Sequence, residues 1–110
     1  MATKNRTLGK ELLTSNATIY TTPPRFEASV DSIVVSNASS SNVTFSLDWY
    51  DSQTTTFYTI AEQVVMYPNS VLQLTDAFIL HPNDTLRGLA SVANVITVSV
   101  KVKEEYLTAS

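Results

Sequence analysis

The chain is predicted to be all-β: an antiparallel two-sheet β-sandwich, jelly-roll-like, with an extended N-terminal arm. Three observations lead there. Residues 95–103 carry branched aliphatics at every even position, and from Thr97 every odd position is a hydroxyl or Lys. That period of two buries one strand face and wets the other. Val43–Tyr50 repeats the alternation with Val43, Phe45, Leu47 and Trp49 on the apolar side. Short strands bounded by Pro, Asn, Asp and Ser recur at the spacing of a sandwich or barrel and leave no room for a long helix.

In chain order, residues 1–16 are polar and weakly periodic and read as an extended arm, distinct from a sandwich domain over 17–110. Ala17–Tyr20 is a first short strand, closed by Pro23-Pro24, which cannot donate to a ladder. Phe26–Asn37 is a long strand with a change of phase. Phe26, Ala28 and Val30 set one register and Ile33 and Val35 resume it one residue late, so a bulge is expected at Asp31-Ser32. Asn37–Asn42 is a loop by composition. Val43–Tyr50 and Thr56–Ala61 form a hairpin around Asp51–Thr54. Residues 63–67 and 71–74 flank Pro68-Asn69, and 77–80 and 85–90 flank Pro82-Asn83. Pro presets the first central turn position and Asn tolerates left-handed backbone at the second, so Asn69 and Asn83 are expected at positive φ. The predicted core is Phe45, Leu47, Trp49, Leu72, Ile96, Val98 and Val100.

At 110 residues the chain is one domain with a modest core. It has no Cys, so neither a disulfide nor a thiolate metal site is available, and no cofactor is expected. No apolar run is long enough for a membrane span, and the start lacks the apolar stretch of a signal peptide. Only 15% of residues are charged, with a net charge of −3. That balance argues against nucleic acid as the main partner, while the hydroxyl-rich surface suits burial against neighbouring subunits. The charge is also segregated: Lys4, Arg6, Lys10 and Arg25 make the first quarter basic, and the body that follows is acidic. Leu8, Leu12 and Leu13 in the arm need an apolar surface. The arm is therefore expected to lie across another chain, with Lys4, Arg6 and Lys10 near carboxylates, and removing residues 2–13 is expected to leave the sandwich folded.

Four stretches carry a family likeness: Val34-Val35-Ser36-Asn37, Leu47-Asp48-Trp49-Tyr50, Pro68-Asn69-Ser70-Val71-Leu72-Gln73-Leu74-Thr75-Asp76 and Leu80-His81-Pro82-Asn83-Asp84-Thr85-Leu86-Arg87. In this order, over about residues 17–103, the chain resembles small β-sandwich structural proteins of tailed bacteriophage virions. Asn83 stands where that family usually has Gly, and Asn can take the same left-handed backbone. The resemblance implies a non-enzymatic virion protein, first of all a capsid decoration (cement) protein on the outer capsid surface. Its implied partners are the major capsid protein or other virion proteins, and it is expected to be a dimer or trimer made in the host cytoplasm. A neck, tail or fibre-base component is the alternative within that class.

The candidate chemistry is thin. His81 is the only His, so Ser-His, Cys-His and multi-His metal arrangements are excluded, and its place before Pro82 reads as a surface turn. Asp48 and Asp51 flank a hairpin turn and have the right oxygens for Ca²⁺, but a solvated turn capped by Asp is the simpler reading. Glu104-Glu105 reads as a wet strand end. The Asn-x-Ser/Thr sequons carry no weight in so hydroxyl-rich a chain. Trp49, Tyr50, Phe57, Tyr58 and Tyr67 gather around one hairpin. Alternation turns Trp49 inward and Tyr50 outward, leaving a carbohydrate-binding β-sandwich module, carried by Tyr50 and Tyr58, as the reading outside the virion class.

Overall fold

The computed structural model describes residues 3–74 and 78–107, so Thr75 and Asp76 of the family-like stretches, and Ala77 at the start of the predicted 77–80 strand, lie outside the described residues. The described residues form nine strands: β1 (Thr3–Glu11), β2 (Ala17–Thr21), β3 (Phe26–Asn37), β4 (Val43–Asp51), β5 (Thr56–Met66), β6 (Val71–Leu74), β7 (Phe78–Leu80), β8 (Thr85–Ala90) and β9 (Ile96–Tyr106). One sheet runs β1-β9-β3-β6, with β7 pairing to the other half of β3, so that β6 and β7 share one lane. The second runs β2-β8-β4-β5, and every pairing is antiparallel. The two orders, β1-β9-β3-β6 packed on β2-β8-β4-β5, with most connections crossing between the sheets, make the predicted sandwich a jelly roll. No helix occurs among the described residues.

The period-two reading of β9 holds: Ile96, Val98, Val100 and Val102 are all buried. They face Phe45, Leu47 and Leu86 of the second sheet, and Val30, Ile33 and Val35 line the same face from β3. The β3–β9 register slips between Val30 and Ser32, which is the expected bulge, and it returns Ile33 to the inside. Trp49 and Leu72 are only half-buried. Leu72 sits on β6 at the edge of its sheet, and Trp49 lies at the same open side of the sandwich, its ring 5.2 Å from Tyr58. An edge lacks a neighbouring lane to close over its side chains.

The N-terminal segment differs from expectation. Instead of an arm leaving the sandwich, β1 is an edge strand paired to β9 over nine residues, from Thr3↔Glu105 to Glu11↔Thr97. The register puts Lys4, Arg6, Leu8 and Lys10 on the same face as Glu104, Val102, Val100 and Val98. A period of two was present, but cations occupy most of its inward positions. At a sheet edge their stems cover apolar surface while their heads reach water, and inward charges also discourage pairing with a stray strand. Leu12 is wholly buried. It packs into the space left by Gly88, where a Cβ would lie 3.1 Å from Leu12 Cδ2 and 2.8 Å from Leu47 Cδ2. Residues from Thr3 onward thus belong to the sandwich, and the boundary at 16/17 falls in a loop rather than between arm and domain.

The turns follow the predicted chemistry. Ser70 N–H donates to Tyr67 O (3.2 Å) and Asp84 N–H to His81 O (3.0 Å), closing turns with Pro first and Asn second. Asn69 and Asn83 have φ of 56° and 69°. Pro23-Pro24-Arg25-Phe26 makes a third such turn, Phe26 N–H to Pro23 O, with Arg25 at φ 69°.

Candidate functional site

The jelly roll has two loop ends, built from opposite chemistry. At one end the connections are 22–25, 52–55 and 81–84, tied together by carboxylates. Asp84, wholly buried, accepts from Ser52 N–H (2.9 Å) and His81 N–H (3.0 Å), which joins two loops. Backbone bonds add the third: Thr22 N–H to Asp84 O and Asn83 N–H to Thr22 O. Behind them Glu104, 2% exposed, accepts from Tyr20 Oη of the other sheet and from Arg6 Nη1 (3.3 Å) of β1. The expectation that Glu104 is a wet strand end is therefore wrong: its position continues the inward phase of Val98, Val100 and Val102, and two donors make that burial tolerable. Burial, reinforced by the bond to the Glu104 carboxylate, pushes the Tyr20 phenol well above its ordinary pKa.

At the opposite end the connections are 12–16, 38–42, 67–70 and 91–95, and none of these residues is charged. Leu13, Tyr67 and Val92 stand exposed in the loops, and Val71 follows at 68% exposure. A neutral amide does the bracing. Asn37 is 2% exposed; its Nδ2 lies within hydrogen-bond distance of the carbonyls of Ser41, Met66 and Tyr67 (2.9, 3.0 and 3.2 Å), and its Oδ1 accepts from Ser39 N–H. Backbone bonds Asn37 N–H to Ser70 O, Ala38 N–H to Val95 O and Asn94 N–H to Leu12 O stitch the four loops into one surface. Exposed aliphatic and aromatic side chains on a rigid, uncharged surface are the marks of a contact face, since little solvation is lost when water leaves.

A third region is the outward face of β2-β8-β4-β5. Arg87 makes a paired contact with Asp48, Nε to Oδ1 at 2.9 Å and Nη2 to Oδ2 at 2.6 Å, and this hydrogen-bonded carboxylate raises the Arg87 pKa further. Phe57 lies on the guanidinium, 3.8 Å from Cζ to ring centroid, and Tyr50 leans on Phe57 at 4.7 Å. Asp48 is thereby committed, and Asp51 Oδ1 accepts from Gln53 N–H (3.0 Å), as in the capped-turn reading. Among the described residues no group of three or more His, Asp or Glu is placed to hold a metal. His81 is half-exposed, with Nδ1 3.7 Å from Glu27.

The predicted interface residues scatter. Leu12 is core, Leu8 packs against it, Lys4, Arg6 and Lys10 lie on the inner side of an edge strand, and Leu13 alone joins the uncharged end. That end was missed because its members come from four loops far apart in sequence. The available signal was negative: no charge in 12–16, 38–42, 67–70 or 91–95, turn regions that alternate along the chain with those of the other end. Tyr58 packs beside Trp49, so of the two aromatics assigned to the outward platform only Tyr50 is on that face.

No protein-family model matches the chain, and no curated protein matches its sequence. Solved structures do share its fold. The pilus proteins of Bacillus endospore appendages, described as disulfide-linked pili, superpose at a TM-score of 0.57 with 15% identity, covering 97% of this chain and 88% of theirs. Infectious bursal disease virus particle proteins match at 0.56 in the T13 particle and 0.54 in the Gx strain, both with 8% identity. This chain spans 36% and 39% of those viral chains. At such identities the likeness is one of fold.

Proposed function

We propose that the chain is a non-enzymatic structural protein of a phage virion, a capsid decoration protein that binds the major capsid protein and stabilises the shell. The observation that carries this reading is the uncharged end, where Leu13, Tyr67, Val71 and Val92 are exposed on four mutually braced loops. The occupant of that end is a shell subunit, and the protein sits on the outer capsid as a dimer or trimer. The fold neighbours support an assembly role, since they are a pilus protein and proteins of a viral particle. The pili are described as disulfide-linked; this chain has no Cys, so its own assembly relies on buried area. The candidate chemistry supports the non-enzymatic part: Asp84 and Glu104 at the loop end and Asp48 on the sheet face are engaged in bracing.

The test is to quantify the protein in purified particles and repeat the measurement with Leu13→Asp and Val92→Asp. Copy numbers comparable with the shell subunits, lost in both variants while the unfolding temperature holds, are expected. Copy numbers of a small fraction of the shell would favour a neck, tail or fibre-base place. Undiminished incorporation of both variants would remove the uncharged end from the account.

A further inference from the structure

The outward face of the second sheet is not used by the reading above, and its chemistry points elsewhere. Two layers stack there, the lower one held edge-on by a carboxylate. Asp48 holds the Arg87 guanidinium through two bonds, and the guanidinium in turn underlies the Phe57 ring. Arg87 is 24% exposed and Phe57 49%, so the ring is the outer layer and its far face is open to water. Tyr50, opposite Phe57 in the β4–β5 register and tilted by 47°, props the ring from the side. A large exposed aromatic normally swings through several rotamers. This one is pinned from below and beside, so little ordering remains to be done when something lands on it.

One residue pair along the same face, Asp48↔Thr59, the surface sinks into a groove of about 490 Å³. Its polar lining includes Asn16, Thr44, Ser46, Thr59, Glu62 and Gln63. The concavity has a local cause. β5 departs from β4 through register shifts around residues 60–63, Gln63 takes φ 48°, and its N–H is held by Ser46 Oγ at 2.9 Å. The bulge both shapes the groove and breaks the β5 edge as a template for an added strand.

We propose that this face binds a neutral oligosaccharide, one pyranose ring stacked on Phe57 and its neighbours hydrogen-bonded along the groove. A pyranose presents an apolar C–H face and a rim of hydroxyls that both donate and accept. A fixed aromatic plate beside hydroxyl, amide and carboxylate side chains matches both parts. The charge balance selects against anions: Asp48 and Glu62 are the charged residues of the lining, and Arg87 next to it is already committed to Asp48. From Thr44 to Tyr50 the face runs roughly 20 Å at the usual strand rise, a span that suits several sugar units rather than one. The far end of the groove, at Asn16 and Ser91, borders the uncharged end, but the Phe57 plate stands apart from Leu13 and Val92, so its variants test this proposal separately from the shell-binding reading.

The experiment is calorimetric titration of the full chain with maltohexaose, cellohexaose, mannohexaose and chitohexaose, with a heparin oligosaccharide as the anionic probe. At least one neutral probe should bind saturably. Phe57→Ala and Phe57→Leu should each weaken it roughly tenfold or more with a small change in unfolding temperature, and Phe57→Trp should retain it. Glu62→Ala should weaken binding without touching the plate. Failure of all neutral probes at millimolar concentration, equal binding of heparin, or affinity unchanged in Phe57→Leu would each overturn the proposal.

Discussion

The two loop ends of this jelly roll do the same structural job with different groups. Each must satisfy loop backbone that the strands leave unpaired, because a buried unpaired N–H or C=O costs as much as a lost hydrogen bond. One end uses the carboxylates of Asp84 and Glu104; the other uses the amide of Asn37. Carboxylates make the stronger acceptors, but a charged end is expensive to strip of water. An amide makes more modest bonds, each to a neutral partner, and leaves a surface that can be dehydrated cheaply. For the shell contact proposed above, the advantage lies with the end that gave up charge.

The largest effect should come from removing what the ends share. β1 reaches from Arg6 beside Glu104 to Leu12 beneath Gly88, so deleting residues 2–13 strips a donor from one end and a core side chain from the other. It also exposes a full length of β9. Loss of cooperative thermal unfolding is expected, contrary to what a dispensable arm predicts. A truncated chain that melts in one sharp transition near the intact value would show that β1 is an accessory.

Exchanging the bracing chemistry is the sharper probe. Asn37→Asp places a carboxylate against three carbonyl oxygens and should cost about 2–4 kcal/mol. Asp84→Asn keeps the shape and one acceptor oxygen for two N–H donors, and should cost about 1–2 kcal/mol. Equal losses in chemical denaturation would mean that the two ends are not chemically distinct.

pH should separate the ends as well. Tyr20 has a raised pKa in the folded protein, from burial first and then from Glu104, against an ordinary value of 10.0 when unfolded. Above pH 10 the unfolded chain gives up a proton that the folded chain keeps, so stability falls as pH rises. The contribution is complete below that pH. Tyr20→Phe should lower stability at neutral pH by about 1–2 kcal/mol and remove this part of the alkaline loss. Asn37 has no proton to lose, so a neutral variant of the uncharged end such as Asn37→Ala should keep the wild-type alkaline profile.

Much of this was legible in the residues themselves. Alternation in Val43–Tyr50 and Ile96–Val102, the phase slip at Asp31-Ser32 and the two Pro-Asn turns are local signals, and each matched. β1 was misread because Lys4, Arg6 and Lys10 occupy inward positions of an edge strand, where an apolar-polar pattern reports nothing. Glu104 hid for the same reason: a charge at an inward position looks like a strand end unless its partners, Tyr20 and Arg6, are known to meet it. The uncharged end and the Phe57 plate are products of topology. Four distant loops and a three-strand stack of Asp48, Arg87 and Phe57 come together only once strand order is set.

The smallest effects concern the turns, and they test whether both ends are shaped by the same backbone rule. Asn83 at the charged end and Asn69 at the uncharged end both sit in left-handed backbone after Pro, whereas Arg25 and Thr55 do so without a favourable side chain. A β-branched residue pays most there, because its Cβ substituents crowd the backbone. Thr55→Gly should therefore stabilise by about 0.5–1 kcal/mol and Arg25→Gly by somewhat less, the gain offset by the greater freedom of Gly when unfolded. Asn83→Gly and Asn69→Gly should be near neutral, and Asn83→Val should cost about 1 kcal/mol or more. The measurement is the denaturation midpoint of each variant. If Thr55→Gly gains nothing while Asn83→Val loses, the left-handed requirement is real at the Pro-Asn turn, and the loop 52–55 relaxes into another conformation in solution.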